Sequence, residues 1–284
     1  MIQMPLLFRP PSEWSPPEKV PDLSDAKEIA IDLETYDPSI KELGPGWARG
    51  EGHVLGVAVA VEGWKGYFPL RHENGGGNFD EGLFKRQFKK ILELPCDKIF
   101  HNAMYDVIWI RRLGLTIHGT IVDTMIMTSL VDENRFRYDL NSVAQDFTGL
   151  RKDEATLQQA ARDWGIDPKA EMYKLPAMYV GEYAEKDAEI TLALWQELKK
   201  EIVGQDLSSI VALETKVLPV LIDMKWKGVR IDESHVEVLE NKFKKTIDSN
   251  LKRVKEAVGF FPEIWAAANI AKVCDSLGIS DYAR

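Results

Sequence analysis

Short apolar runs open the regular part of the chain, and their lengths predict strands. They are KEIAIDLE at 27–34, HVLGVAVAVEG at 53–63 and WKGYFPL at 64–70. Gly63 lies between the second and third runs, at the position of a tight turn. The segment therefore predicts three strands joined as a meander.

Downstream, the apolar spacing changes from strand to helix and back twice. Helical spacing is found in FDEGLFKRQFKKILEL at 79–94 and in AMYDVIWIRRLG at 103–114. The short runs DKIFHN at 97–102 and IHGTIVDT at 117–124 predict two further strands. Three adjacent strands followed by alternating helices and strands predict an α/β fold with a mixed five-stranded sheet flanked by helices.

The pattern also predicts where the chain divides. Residues 1–25 contain six prolines, which favours an extended N-terminal arm without regular structure. Beyond residue 124 almost every periodic segment predicts a helix, and Gly204 interrupts this pattern. We therefore expect an arm at 1–25, a main domain at 26–204 and a helical segment at 205–284.

Composition narrows the class of protein without deciding it. The 284 residues are 45% hydrophobic and carry a net charge of −9, which argues against a general polyanion-binding surface. Local basic patches or bound metal ions would still permit nucleic-acid binding. No apolar run approaches the roughly 20 residues of a membrane helix, and the N-terminus lacks signal-peptide features, so we expect a cytoplasmic protein with no membrane partner.

Two carboxylates follow the first apolar run at a spacing of two. Side chains on a strand alternate between faces, so Asp32 and Glu34 project to the same side. Adjacent carboxylates repel each other unless a positive group lies between them, and hard divalent cations commonly fill this role. Taken alone, such a pair is more typical of a plain strand end with solvated acids than of a metal site.

Two further pairs of polar residues stand at defined positions in predicted elements. Asn102 ends a predicted strand, and Asp106 lies one turn into the helix that follows, where the helix dipole alone would also favour an acid. Tyr183 and Asp187 are four residues apart and share one face of a late helix. An ordinary polar helix edge would show the same spacing.

In chain order, D-x-E, N-x-x-x-D after a strand and Y-x-x-x-D on a late helix form a specific combination. It resembles the tyrosine subclass of the DEDD 3′–5′ exonucleases, whose domain has a ribonuclease-H-like mixed sheet. The resemblance covers about residues 25–203, with Asp123 and Thr124 opening the connecting helices. LETKVLPVLIDMKWKGVRID is similar to the segment that leads family A DNA polymerases into their polymerase domain, and the arrangement is most similar to a bacteriophage enzyme.

This resemblance implies a function and a set of roles. Asp32, Glu34, Asp106 and Asp187 would hold two divalent ions, Mg²⁺ or Mn²⁺, about 3.5–4 Å apart for in-line phosphoryl displacement. Tyr183 would orient the attacking water. Thr35 would contact the terminal sugar through its backbone, and Asn102 would either touch the terminal nucleotide or brace the site.

The resemblance also implies a substrate and partners. The substrate would be a frayed or single-stranded DNA 3′ end. Polymerase activity is not expected from this chain alone, so it would be the proofreading part of a truncated or split polymerase, with a separately encoded polymerase fragment as a possible partner. Three basic pairs are candidates for phosphate contact, although solvated surface is the simpler interpretation of each: Arg111 with Arg112, Arg135 with Arg137, and Arg151 with Lys152.

Two alternatives remain open on the residues alone. An exoribonuclease of the same superfamily would carry the same four acids. A catalytically silent docking module for a polymerase would need none of them.

Overall fold

The computed structural model describes residues 12–279. Contacts divide the chain into two compact units, the first ending at Lys227 and the second starting at Gly228. Residues 12–27 of the first unit form no helix or strand. Of the arm expected at 1–25, residues 1–11 lie outside the described residues.

One mixed sheet forms the centre of the first unit. Its strands are β1 (Glu28–Tyr36), β2 (His53–Val61), β3 (Trp64–Pro69), β4 (Asp97–Phe100) and β5 (Ile121–Asp123). They are ordered β3-β2-β1-β4-β5. β1 pairs antiparallel with β2 and parallel with β4, while β2–β3 is antiparallel and β4–β5 parallel. The predicted mixed five-stranded sheet is confirmed.

The fifth strand is shorter than the predicted 117–124. Gly119 adopts a φ of 80°, and a Cβ at this position would lie 2.4 Å from the carbonyl oxygen of Cys96. This tight turn, which glycine tolerates without steric cost, keeps residues 117–120 out of the sheet. Pairing therefore begins only at Ile121.

Helices cover both faces of the sheet. In the first unit they are α1 (Ile40–Leu43), α2 (Glu81–Leu92), α3 (Ala103–Arg112), α4 (Thr124–Val131), α5 (Leu140–Thr148), α6 (Ala155–Trp164), α7 (Gly181–Gly204) and α8 (Ser208–Lys227). On β1, Ile29, Ile31 and Leu33 belong to the core that contains α2 and α3, whereas Ala30 belongs to the core that contains α5 and α7. The alternation read from the sequence thus separates two apolar cores.

α8, the helix after Gly204, packs partly on the core that contains α3. Leu218 and Ile222 of α8 are buried in the same core as α3, and Arg111 pairs with Asp223 at 2.6 Å. Leu221 of the same helix is 40% exposed. The apolar side chains of α8 are therefore only partly covered.

The second unit contains the long helix α9 (Glu233–Val258) and α10 (Ala267–Ser276). α9 begins at the cap residue Asp232, whose side chain accepts the backbone N–H of His235. Neither helix contains a buried residue. Across residues 12–279, no helix combines the length and the apolar character needed to cross a membrane.

Candidate active site

Asp32 and Glu34 lie towards the end of β1, on the face of the sheet that carries α7. Asp32 stands opposite Ala58 and Glu34 opposite Gly56, so small residues leave room for both carboxylates. The pairing register shifts between Glu34 and Thr35, which bends the strand end locally. The two acids share one side of the strand, as predicted, and both remain partly exposed.

Asp106 reaches β1 from α3. β4 pairs with β1 only as far as Ile99, opposite Ala30. Beyond that point, Asp106 Oδ1 accepts the backbone N–H of Leu33 at 3.1 Å. Asp106 is buried, so this carboxylate joins the helix to the strand between the two acids of β1 and is not a solvated first-turn acid.

α7 supplies the third side of the site. Tyr183 and Asp187 are both buried on this helix. One carboxylate oxygen each from Asp32, Glu34 and Asp187 lie within 4.8 Å of one another. We call these three residues, together with the neighbouring Asp106, the acid cluster.

The acid cluster is electrostatically strained. Burial, reinforced by the charge of Asp187, raises the pKa of Asp32 to about 7. Burial and then repulsion from Asp32 raise the pKa of Glu34 and of Asp106 well above their ordinary values. Burial also raises the pKa of Asp187, although the Lys152 ammonium opposes this shift. The charges of Asp32 and Asp187 therefore make ionisation of neighbouring acids more costly.

The donor chemistry of the cluster fits a divalent cation. Carboxylate oxygens are the ligands that Mg²⁺ and Mn²⁺ prefer. Asp187 Oδ1 is buried, and among residues 12–279 it has no hydrogen-bond partner of acceptable geometry. A buried carboxylate oxygen without a donor is costly unless a ligand satisfies it. Such a cation would reduce the repulsion among the carboxylates and would give Asp187 Oδ1 a positively charged partner.

Tyr183 is held beside these carboxylates. Burial, and then the charge of Glu34, raise the pKa of the Tyr183 hydroxyl well above its ordinary value. The phenol therefore keeps its proton and can donate a hydrogen bond into the cluster.

Asn102 and Thr35 lie at the rim. Asn102 is exposed and adopts a left-handed backbone conformation, with φ 69°. The backbone N–H of Asn102 donates to Asp123 Oδ1 at 2.9 Å. From the sequence, Asp123 is assigned only to the start of the connecting helices. The Thr35 hydroxyl lies 2.6 Å from the hydroxyl of Tyr105.

Of the three basic pairs, Arg112, Arg137 and Arg151 are exposed, as the solvated-surface interpretation expects, but two of their partners are mostly buried. Arg135 is mostly buried and pairs with Asp146. Lys152 is also mostly buried, and its ammonium pairs with Asp187 inside the acid cluster. The simpler interpretation was therefore wrong for Lys152, because an isolated loop lysine carries no periodicity that would indicate burial.

Two polar residues behind Glu34 were not found from the sequence. The Tyr67 ring packs where a Cβ of Gly56 would lie, so it stands directly beneath the strand position opposite Glu34. The Tyr67 hydroxyl lies 2.8 Å from His72 Nε2, and His72 Nδ1 lies 2.9 Å from the carbonyl oxygen of Leu175. Because that carbonyl can only accept, Nδ1 donates and Nε2 accepts the Tyr67 proton. No short sequence motif marks such a pair.

A carboxylate cluster near the end of the central strand of a mixed sheet, with helices on both faces, defines the class of ribonuclease-H-like nucleases. Residues 18–203 match the family described as 3′-5′ exonuclease. The chain belongs to this family, the 3′-5′ exonuclease domain of A-type DNA polymerases.

A curated relative extends the similarity over nearly the whole chain. A DNA-directed DNA polymerase of Pseudomonas phage M6 is 33% identical over 98% of this chain. The alignment spans 43% of the length of that polymerase.

Solved structures confirm the fold. The polymerase domain of Pol1 from M. smegmatis, in complex with DNA primer-template and dNTP, has a TM-score of 0.59 at 15% identity. The match covers 88% of this chain and 37% of the Pol1 chain. Brucella melitensis NrnC with bound Mg²⁺ has a TM-score of 0.53 at 18% identity, covering 75% of this chain and 94% of its own.

Proposed function

We propose that this chain removes nucleotides from single-stranded or frayed DNA 3′ ends, as the proofreading part of a DNA polymerase. The observation that carries the proposal is the convergence of Asp32, Glu34 and Asp187, whose carboxylate oxygens lie within 4.8 Å, beside Tyr183 in a chain of the 3′-5′ exonuclease family. The similarity to a phage DNA polymerase over 98% of the chain favours DNA as the substrate.

In this proposal the acid cluster holds two divalent ions, Mg²⁺ or Mn²⁺. Such ions would supply an activated water and stabilise charge on the leaving 3′ oxygen. Asp32, Glu34 and Asp187 provide converging oxygens, and Asp106 contributes from the α3 side. A Brucella structure of the same fold with bound Mg²⁺ supports the choice of a hard cation.

The remaining site residues act on water and substrate. Tyr183 keeps its phenolic proton and, together with Glu34, hydrogen-bonds the attacking water and orients it. Thr35 and Asn102 contact the terminal nucleotide from the rim, where Asn102 is exposed. These contacts position the 3′ end without reading its sequence.

The domain limits are part of the proposal. Residues 26–204 form the exonuclease domain, which the family match over 18–203 supports. Residues 205–284 begin the polymerase domain, which the extended similarity to the phage polymerase supports.

The test uses end-labelled DNA and RNA oligonucleotides of the same sequence, incubated with the chain and Mg²⁺. We expect stepwise shortening of the single-stranded DNA from its 3′ end, slower shortening of a fully paired end, and much slower shortening of the RNA. Preferred degradation of the RNA would instead establish the exoribonuclease alternative. A chain that binds Mn²⁺ but cleaves neither substrate would contradict both.

A further inference from the structure

A lysine side chain occupies the interior of the acid cluster. The Lys152 ammonium pairs with Asp187 Oδ2 and lies 5.3 Å from the centroid of the Tyr183 ring. The side chains of Lys152 and Asp187 are only 17% and 3% exposed. This ion pair is therefore shielded from solvent, unlike a typical surface salt bridge.

A second lysine of the same unit makes the same two kinds of contact outside the cluster. Lys174 pairs with Glu171 and lies 5.7 Å from the centroid of the Tyr173 ring. Its side chain and that of Glu171 are 26% and 35% exposed. Lys174 thus provides a matched reference for a lysine that contacts a carboxylate and a tyrosine without entering the acid cluster.

The charge of Lys152 is maintained by its surroundings. Burial alone would lower the pKa of Lys152, but the carboxylates of Asp187, Asp32 and Glu34 outweigh it and raise the pKa. The ion pair with Asp187 is itself the contact of an ammonium ion with a carboxylate. In the part of the chain that the structure describes, Asp187 Oδ1 still lacks a hydrogen bond of acceptable geometry.

The backbone position of Lys152 allows its side chain to leave. The residue lies in the loop between α5 and α6, where its backbone N–H is held by Asn141 Oδ1 at 3.3 Å. A lysine side chain has a flexible four-carbon stem. The ammonium can therefore withdraw from Asp187 while the loop backbone stays in place.

We propose that Lys152 is an internal counter-cation of the acid cluster, and that a divalent ion displaces its ammonium from Asp187 on binding. The proposal rests on the proposed function, which requires a metal at this site. Asp187 Oδ2 cannot serve the ammonium and a metal ion equally, since the two cations repel each other at short range. Lys152 therefore lowers the affinity of the site for metal and partly neutralises the acids when metal is absent.

The first experiment measures Mn²⁺ affinity by electron paramagnetic resonance of the free ion, at mildly alkaline pH so that protons compete little. Wild type, Lys152→Met and Lys174→Met are compared. Because a neighbouring charge shifts such equilibria by about one to three decades, we expect Lys152→Met to bind Mn²⁺ at least about tenfold more tightly. Lys174→Met should bind like wild type.

The second experiment uses the wild-type chain and so does not depend on a variant that folds. Lysines are acetylated briefly with and without saturating Mg²⁺, and the modified peptides are quantified by mass spectrometry. We expect Lys152 to be protected without metal and to react several-fold faster with metal, while the reactivity of Lys174 stays constant.

Two outcomes overturn the proposal, and they can be told apart. Equal or weaker Mn²⁺ binding by Lys152→Met, with unchanged protection of Lys152, would show that the lysine does not compete with metal, and the proposed function would stand. Absence of Mn²⁺ binding by wild type and variant alike would refute both the displacement and the metal-dependent function.

Discussion

The carboxylate of Asp123 and the acid cluster are both largely surrounded by protein, yet they are satisfied in opposite ways. Asp123 Oδ1 accepts the backbone N–H groups of Asn102 and Met125, each at 2.9 Å, and Oδ2 accepts that of Ala103 at 2.8 Å. In the acid cluster, one Asp187 oxygen pairs with Lys152. The Tyr183 hydroxyl lies beside Asp187, but within residues 12–279 the other oxygen, Oδ1, has no hydrogen bond of acceptable geometry.

This difference separates an acid with a structural role from the acids of the proposed site. Asp123 is completed by its own chain: its carboxylate holds the turn between β4 and α3 at Asn102, whose left-handed backbone would otherwise be unfavourable. The acid cluster instead brings carboxylate oxygens of Asp32, Glu34 and Asp187 within 4.8 Å of one another. Incomplete satisfaction of buried polar groups is expected where a ligand completes the site.

The largest effect is expected from removing the two acids of β1 together. Asp32→Ala with Glu34→Ala should lower the rate of DNA cleavage by at least about 10³-fold, or about 4 kcal/mol of transition-state stabilisation, because no metal cradle remains. The measurement is release of labelled nucleotide from single-stranded DNA, with circular dichroism as a control for folding. A folded double variant that cleaves at the wild-type rate would refute the metal assignment.

A smaller effect, on stability and not on metal binding, is expected at Asp123, whose two carboxylate oxygens both accept hydrogen bonds. Asp123→Asn replaces one carboxylate oxygen by an NH2 group, which would face backbone N–H donors without an acceptor. We therefore expect a loss of about 3 kcal/mol in the free energy of unfolding. Asp32→Asn is the matched control and should cost less than about 1 kcal/mol, since it relieves repulsion with Asp187. Urea unfolding of both variants measures the difference, and equal losses would remove the distinction between the two kinds of acid.

Much of the fold could be predicted because it depends on local patterns. Alternating residues in β1 and helical spacing in α2 and α3 are visible in short windows of sequence. The shorter β5 was missed because its start depends on the close approach of Gly119 to Cys96, which are 23 positions apart. Such a contact leaves no periodic signal.

For the candidate site, spacing placed Asp32 beside Glu34 and Tyr183 beside Asp187, since these pairs lie within single elements. That the pairs converge followed from a family resemblance, because periodicity does not determine which strand a helix crosses. Lys152 was named only as a candidate for phosphate contact, and its place inside the acid cluster could not be found in either way. Its burial results from the path of a loop between two helices.

Tyr183 tests the geometry of the cluster without removing a ligand. Tyr183→Phe should lower the cleavage rate by about 10- to 100-fold, because misplacing the attacking water affects the reaction but not the carboxylates. Mn²⁺ affinity should stay within about twofold of wild type, whereas Asp187→Ala should reduce both affinity and rate. Equal losses of affinity in the two variants would show that these roles are misassigned.

The smallest effect is expected at His72, another buried polar group, whose two ring nitrogens are both hydrogen-bonded within the chain. Burial lowers the pKa of His72 to about 4, from an ordinary value of 6.5. Because the unfolded chain binds a proton more readily than the folded one between these values, the neutral histidine contributes stability that is lost as pH falls below 6.5 towards 4. Between pH 7 and pH 5.5 this loss amounts to about 1 kcal/mol.

The effect of His72 can be separated from that of other titrating groups by a difference between variants. His72→Gln keeps a donor for Leu175 and an acceptor for Tyr67 but does not titrate, so its unfolding free energy should fall by about 1 kcal/mol less than that of wild type over the same pH interval. Urea unfolding at several pH values measures this difference. Parallel pH profiles would mean that His72 is protonated equally in the folded and unfolded chain, and that burial does not hold it neutral.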